Sequence, residues 1–289
     1  MTNPLDPVEI RPGVVKILAP NASLMTGAGT NSYLIGEPAL IAIDPGPDDE
    51  EHVGKLAELA AGRLRYILIT HHHPDHAPGA TRLAEMTRAP ILSFGAVPIS
   101  PYFATVIPDH ALSDGDVVSV PGLSLTTLHT PGHTSDHLSF IANFDSGERR
   151  NRVLFSGDTV LGGSTVVVSP PDGDMVAYMS SLERMLHLSP AADVIAPGHG
   201  DLIEEPAGTI SDYLARRRAR EMDVLDALRN GPANATDLVD MIYSDLARGL
   251  YGVAARTVWA HLRKLGSEKR AFSSAPDDIH ALWTLARAN

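Results

Sequence analysis

Residues 70 to 76 read Thr-His-His-His-Pro-Asp-His. Within that heptad His71, His73, Asp75 and His76 are nitrogen and oxygen donors of the kind divalent cations take. His71, His73 and Asp75 alternate and His76 breaks the alternation, so one loop can feed two neighbouring ions. The bland alternative is a polar loop with incidental histidines, and the density of donors argues against it. Three more donors recur downstream: His133 in Thr-Pro-Gly-His-Thr, Asp158 in Ser-Gly-Asp-Thr and His199 in Pro-Gly-His-Gly. Each follows a short run rich in Leu, Phe or β-branched residues, and each is flanked by glycine, which permits a tight turn beside an ion. Seven donors exceed one tetrahedral zinc and suit two adjacent ions sharing one bridging carboxylate. The chemistry this implies is hydrolytic. Two ions share a water, lower its pKa until a bridging hydroxide exists near neutral pH, and polarise a carbonyl or phosphoryl oxygen. Zinc is the default for such donors, and Mn²⁺ or Fe²⁺ also fit them.

The elements that must hold these donors can be read from the flanking pattern. Arg65 to Ile69 is a buried strand, so the heptad leaves the C-terminal end of a strand. Residues 13 to 46 carry three short strand candidates, GVVKILA, TNSYLIG and LIAIDPG, and residues 48–62 and 76–88 have helical spacing of Leu, Ala and Met. A second series follows: HLSFIANF, VLFSG and VIAPGH as strands, with the helix MVAYMSSLERMLHL between the last two. Strands with interspersed helices predict sheet layers covered by helices.

Composition sets limits. A chain of 289 residues can hold one large core and a smaller domain. No apolar run approaches a membrane span, and the N-terminus has neither the basic start nor the apolar segment of a secretory signal. The absence of cysteine excludes disulfides and thiolate ligation and fits a cytoplasmic protein. The net charge of −12 is uneven: residues 1–205 hold 11 Lys and Arg against 25 Asp and Glu, a balance of −14, and residues 206–289 hold 12 against 10, a balance of +2. The donor-bearing part is thus no basic surface for nucleic acid.

The ordered motifs, from Ile-Ala-Ile-Asp-Pro-Gly around Asp44 to Ala-Pro-Gly-His-Gly around His199, resemble the metallo-β-lactamase-fold hydrolases over about residues 13–204. The resemblance implies an α/β fold: a four-layer αββα sandwich of two facing mixed sheets between helices, with the metals at one edge. It assigns His71, His73 and His133 to the first ion, Asp75, His76 and His199 to the second, and Asp158 to the bridge between them. Asp75 would also accept a hydrogen bond from the hydroxide and aim it at the substrate, which makes Asp75 the catalytic carboxylate. Asp44 has two readings: it orients the heptad loop by hydrogen bonding, or it is a turn former in Asp-Pro-Gly. The absence of cysteine separates the chain from lactamases whose second zinc has a cysteine ligand. Asp158 points to the glyoxalase-II-like and ribonuclease-like branches. His137, four residues past His133, is read as a substrate contact or proton donor, against the alternative of a polar residue at a strand start. His72 should point away from the ions, and His110, His129 and His187 have no role.

Pro206 to Gly208 reads as a boundary between a hydrolase domain (residues 1–205) and a second domain (residues 206–289). The second domain contains a long amphipathic helix up to Asn230, capped by Thr209 or Ser211, and a helix over 235–246 opening at Ala235-Thr236. A third helix and a hairpin follow, which is the order of a winged helix. Arg216, Arg217, Arg218 and Arg220 read as a solvated face paired with Glu221, Asp223 and Asp226. The third helix carries Arg256, His261, Arg263 and Lys264. That basic face is modest, so the segment is expected to cover the active site or form a homodimer rather than read DNA sequence. A hydrolase domain with this C-terminus resembles the β-lactamase-like protein group that includes a mitochondrial endoribonuclease acting on single-stranded RNA. That resemblance makes single-stranded RNA the first substrate expectation, with Arg256, Arg263 and Lys264 as phosphate contacts. Small thioesters, esters or lactones, as in glyoxalase II, are the second. A mononuclear iron enzyme similar to persulfide dioxygenases and a winged-helix DNA-binding protein are further alternatives.

Overall fold

The computed structural model describes residues 5–95, 106–144, 151–188, 190–243 and 245–286. It divides into two compact units, residues 1–130, 136–164 and 188–206 in the first and residues 131–135, 165–187 and 207–289 in the second.

In the first unit, β1 (Val8–Arg11), β2 (Val14–Leu18), β3 (Asn31–Ile35), β4 (Leu40–Ile43), β5 (Leu64–Leu68), β6 (Ile91–Phe94) and β7 (His110–Leu112) form one sheet in chain order. Pairing is antiparallel as far as β4 and parallel beyond it. Parallel neighbours need crossovers, and α1 (Glu50–Ala60) and α2 (Gly79–Thr87) supply those between β4 and β5 and between β5 and β6. The second sheet has the order β12 (Val194–Pro197), β11 (Asn151–Gly157), β10 (Leu138–Phe144), β9 (Leu123–His129) and β8 (Val117–Val120), with only β11 and β12 parallel.

Strands β3 and β4 are buried on both faces, and their alternation sorts the layers. Tyr33, Ile35, Ile41 and Ile43 enter a core shared with Phe140, Phe155 and Val153 of the second sheet. Leu34, Leu40 and Ala42 face the opposite way, onto Val53 and Leu56 of α1 and Leu83 of α2. Strand β1, Val-Glu-Ile-Arg, alternates apolar and charged residues over only four positions and is half exposed, with Ile10 packed against the core.

In the second unit, α3 (Met175–Leu186), α4 (Pro206–Leu228), α5 (Ala235–Ile242) and α6 (Tyr251–Ser267) precede a two-residue hairpin of β13 (Ala271–Phe272) and β14 (Thr284–Leu285). Val224 and Leu228 of α4, Leu238 of α5, Val258 and Leu262 of α6 and Trp283 form its core. Helix α4 begins at Pro206, a residue suited to the first helical position. Thr209 and Ser211 therefore lie inside the helix and do not cap it. Asn234, not Ala235 or Thr236, caps α5: its side chain accepts from the Thr236 and Asp237 amides and Asp237 reciprocates. Helix α5 ends at Ile242, short of the expected 246, and Ser244 lies outside the described residues. Among the described residues, no helix is long and apolar enough to cross a membrane.

Candidate metal centre

The heptad follows β5, whose parallel neighbour β4 runs into Asp44 at the same end of the sheet. Asp44 has a φ of 48°, in the left-handed region, and its buried carboxylate organises the heptad. It accepts from the Thr70 amide at 2.7 Å, the Thr70 hydroxyl at 2.7 Å and His76 Nδ1 at 2.8 Å. Both sequence readings of Asp44 thus meet in one residue, a turn former whose carboxylate orients the loop. Having donated to Asp44, the Thr70 hydroxyl accepts from His71 Nδ1 at 3.0 Å. His199 Nδ1 donates to the Gly29 carbonyl at 3.1 Å. These bonds hold His71, His76 and His199 in the tautomer whose Nε2 carries a lone pair, the arrangement of metal-ligating imidazoles.

Those lone pairs converge. His76 Nε2 lies 3.3 Å from His199 Nε2. Asp75 Oδ2 is 3.4 Å from the first and 3.2 Å from the second. Asp158 places Oδ1 3.5 Å from His76 Nε2 and Oδ2 3.5 Å from His199 Nε2. His71 Nε2 faces His73 Nδ1 at 2.9 Å. The donor atoms of His71, His76 and Asp158, and those of Asp75, His76 and His199, lie within 4.8 Å of one another. Burial raises the Asp75 carboxyl, but the facing His76 and His199 hold it well below the usual carboxylate range. Burial opposes charge on His199, yet Asp158 and Asp75 lift its pKa to about 9. A pocket that pulls protons onto imidazole so strongly is a cation trap, and its nitrogen and oxygen donors fit divalent ions of the zinc type.

Backbone packing explains the flanking glycines. A Cβ on Gly198 would lie 2.5 Å from Asp158 Oδ1 and 2.8 Å from His76 Cε1. At Gly157, where φ is +46°, a Cβ would meet His137 Nε2 at 2.7 Å. The strand before His199 is braced from β3: Asn31 Nδ2 donates to the carbonyls of Pro197 and Gly200, and the Tyr33 hydroxyl to Pro197. Thr30 Oγ1 donates to Asp75 Oδ2 at 3.3 Å. The Thr-Asn-Ser opening of that strand was the available signal for this bracing, being polar where the strand is fully buried.

His137 does not occupy the expected substrate-facing position. It is fully buried, and its Nε2 accepts the Asp158 amide at 3.0 Å while Nδ1 lies 2.9 Å from the Thr130 hydroxyl. The lone pair that would meet a substrate is already engaged, so His137 is a positioning residue for Asp158. His72 turns away as expected, with Nδ1 2.6 Å from the buried Asp136 carboxylate. In the sequence Asp136 is one Asp between Ser135 and His137 and carries no spacing signal. His133 belongs to the second unit. Its Nδ1 donates to the Val167 carbonyl at 2.7 Å, which places the lone pair on Nε2 there too. Its segment is fastened by the Ser181 hydroxyl on the Pro131 carbonyl and by the Asp174 amide on the Gly132 carbonyl.

The expected solvated arginine face holds in part: Arg216 and Arg218 are exposed and Arg220 pairs with Asp223 at 3.0 Å. Arg217 and Glu221, however, are buried, and Arg218 pairs with Glu183 at 2.9 Å. His261 is fully buried. Lys264 lies 2.7 Å from Glu221 and 2.6 Å from Glu268, and Arg263 pairs with Asp277. Arg256 Nη1 lies 3.4 Å from Ser169 Oγ.

Comparison with known proteins agrees with this geometry. Residues 25–199 match the metallo-beta-lactamase superfamily, and residues 235–279 match the beta-lactamase associated winged helix domain. A beta-lactamase-like protein 2 homolog of Drosophila melanogaster is 36% identical, the match covering 92% of this chain and 93% of that protein. An atrochrysone carboxyl ACP thioesterase of Aspergillus fumigatus is 33% identical over 82% of this chain and 75% of its own. Among solved structures, a beta-lactamase domain protein from Burkholderia ambifaria superposes with a TM-score of 0.81 at 20% identity, covering 99% of this chain and 95% of that one.

Proposed function

Because the chain belongs to the metallo-beta-lactamase superfamily and is a metal-dependent hydrolase of that superfamily, we propose that it cleaves a small thioester, with a two-metal centre held by seven side chains. In this reading His71, His73 and His133 would hold one ion and Asp75, His76 and His199 the other, with Asp158 placed to serve both. Such ions would lower the pKa of bound water and polarise the scissile carbonyl. The protein's own contribution is orientation. Asp75 is the carboxylate for the catalytic role: its side chain is 24% exposed against 10% for Asp158, and the Thr30 hydroxyl steadies it. Held ionised by two imidazoles, it orients a proton rather than storing one. His137 fixes Asp158 from behind.

The observation that carries the choice of substrate is that two of the three α6 cations expected as phosphate contacts are paired internally, leaving Arg256, exposed and near Ser169 Oγ, as the one without a carboxylate among the described residues. Arg263 and Lys264, expected as phosphate contacts, already have carboxylate partners within the second unit, and His261 is buried. Strong RNA binding rests on basic groups that neutralise phosphates, and the first unit carries the acidic balance. The similarity to a thioesterase favours the same choice. Zinc-loaded protein assayed in parallel on a small acyl thioester, a lactone, a β-lactam and a single-stranded RNA tests the proposal. Thioester turnover that disappears in Asp75→Ala is expected. RNA cleavage at low salt with no thioester turnover would overturn it.

A further inference from the structure

Within the second unit, a cavity of about 290 Å³ opens beside the first half of α4. It is lined by Arg216, Arg217, Arg220, Tyr213, Tyr243 and Thr165, with Asp223 as the sole carboxylate. Positions 213, 216, 217 and 220 are three or four residues apart, so one face of the helix presents them together. Three guanidinium groups against one carboxylate leave a local excess of two positive charges. Arg216 and Arg220, four apart, repel each other unless an anion lies between them.

We propose that this cavity binds the phosphate group of a small phosphorylated molecule. Two of the three forks are held in place by the protein. Arg217 is buried, donates to the Val166 carbonyl and has its guanidinium carbon 5.2 Å from the centre of the Tyr178 ring. Arg220 has its guanidinium carbon 4.0 Å from the centre of the Tyr243 ring and pairs with Asp223 at 3.0 Å. Arg216 is exposed and has no ion pair or hydrogen bond among the described residues, so its fork is available at the cavity. Planar forks steadied on aromatic faces match the oxygens of a phosphate, and the hydroxyl-bearing Thr165 and Tyr213 complete a polar wall. At about 290 Å³ the cavity is at the small end of ligand pockets and suits a phosphate with a short attached group. Asp223 lowers the affinity for free anions and favours a ligand that carries a hydroxyl or amide donor beside its phosphate. The inference is independent of which bond the first unit cleaves, and its readout is binding alone.

The test measures binding of inorganic phosphate and of glycerol 1-phosphate to the metal-loaded protein at constant ionic strength, by ³¹P resonance titration. Wild type is compared with Arg216→Ala/Arg220→Ala. Any phosphate held at the His/Asp cluster is common to both proteins. The double variant is expected to bind about ten-fold or more weakly, the loss of at least one hydrogen bond to a charged group. Arg216→Lys, at an exposed position that tolerates change, should weaken binding less, because it keeps the charge and loses only the fork. Equal affinity in wild type and double variant would overturn the site. So would binding of a single-stranded oligonucleotide with none of glycerol 1-phosphate, which assigns the arginines to a polymer.

Discussion

Each unit buries a cluster of ionisable side chains, and the two clusters are built on opposite logic. In the second unit, Glu221 sits 2.7 Å from Lys264, 3.6 Å from Arg270 and 3.8 Å from His261, and Lys264 also meets Glu268 at 2.6 Å. Burial raises the Glu221 carboxyl, and His261 and Lys264 bring it below its ordinary value. Every charge there has an opposite charge nearby. In the first unit, imidazole nitrogens face each other at 3.3 Å and carboxylate oxygens close around them. Donors face donors only where something positive belongs between them. Burial of polar groups is common to both clusters, so it does not mark function; the sign of what they face does.

The largest expected effect breaks the first cluster. Asp75→Ala should lower turnover by about 10²–10⁴-fold, typical of losing a positioned acid–base group, with the fold intact. Turnover near the wild-type rate in a metal-loaded Asp75→Ala protein removes Asp75 from the chemistry. Next is metal content. Elemental analysis should find about two equivalents per chain, as a paired site requires, and a lower value in Asp158→Ala; unchanged metal in that variant rejects the shared carboxylate. The second cluster should answer differently. Glu221→Ala removes the buried carboxylate and leaves Lys264 and Arg270 only the more exposed Glu268; it should cost about 3 kcal/mol, the lower end for a buried pair losing one partner, read by urea unfolding, while turnover stays near normal. Loss of activity without loss of stability would reverse the contrast between the clusters.

The smallest effect is on pH. The folded pKa of Glu221 is lowered, and burial lowers that of His261. The folded unit therefore binds fewer protons than the unfolded chain. The contribution of these two groups to stability is full above the unfolded His value of 6.5 and falls as pH drops through 6.5 and then 4.5. The groups facing this pair are Lys264, Arg270, Arg217 and Arg220, all cationic throughout that range. His261→Leu should flatten the decline in melting temperature between pH 6.5 and 5. Burial lowers His52 in the first unit to about 4, which contributes equally to both proteins. Identical slopes would show that His261 is not part of the linkage.

Much of this was legible in the sequence where local pattern and chemistry coincide. The heptad, the Gly-flanked His199 and Asp158 and the strands leading to them follow from hydrophobic runs that end in turn residues. What stayed hidden depends on contacts distant in sequence. His137 lies four residues from His133, and only the folded approach of Asp158, 21 positions on, shows that its nitrogen is occupied. The arginine run of α4 has the charge spacing of a solvated helix, and nothing local reveals that Arg217 turns inward to Val166, 51 residues away. Asn234 was missed as a cap because Ala235 and Thr236 offered a competing start one residue later.

The density of imidazole in the heptad has a consequence for the chain before it folds. Four of the seven donors lie between positions 71 and 76 and remain neighbours in any conformation, whereas Asp158 and His199 join them only once the distant strands have paired. An extended nascent chain therefore already carries a short chelating peptide, and the folded protein withdraws most of it, with His71, His72 and His76 buried. Excess metal then binds both states, and its net stabilisation is smaller than its affinity for the finished site implies. The same contrast separates the two states by hand: in urea the chain should cling to immobilised nickel through this stretch, and on refolding it should let go.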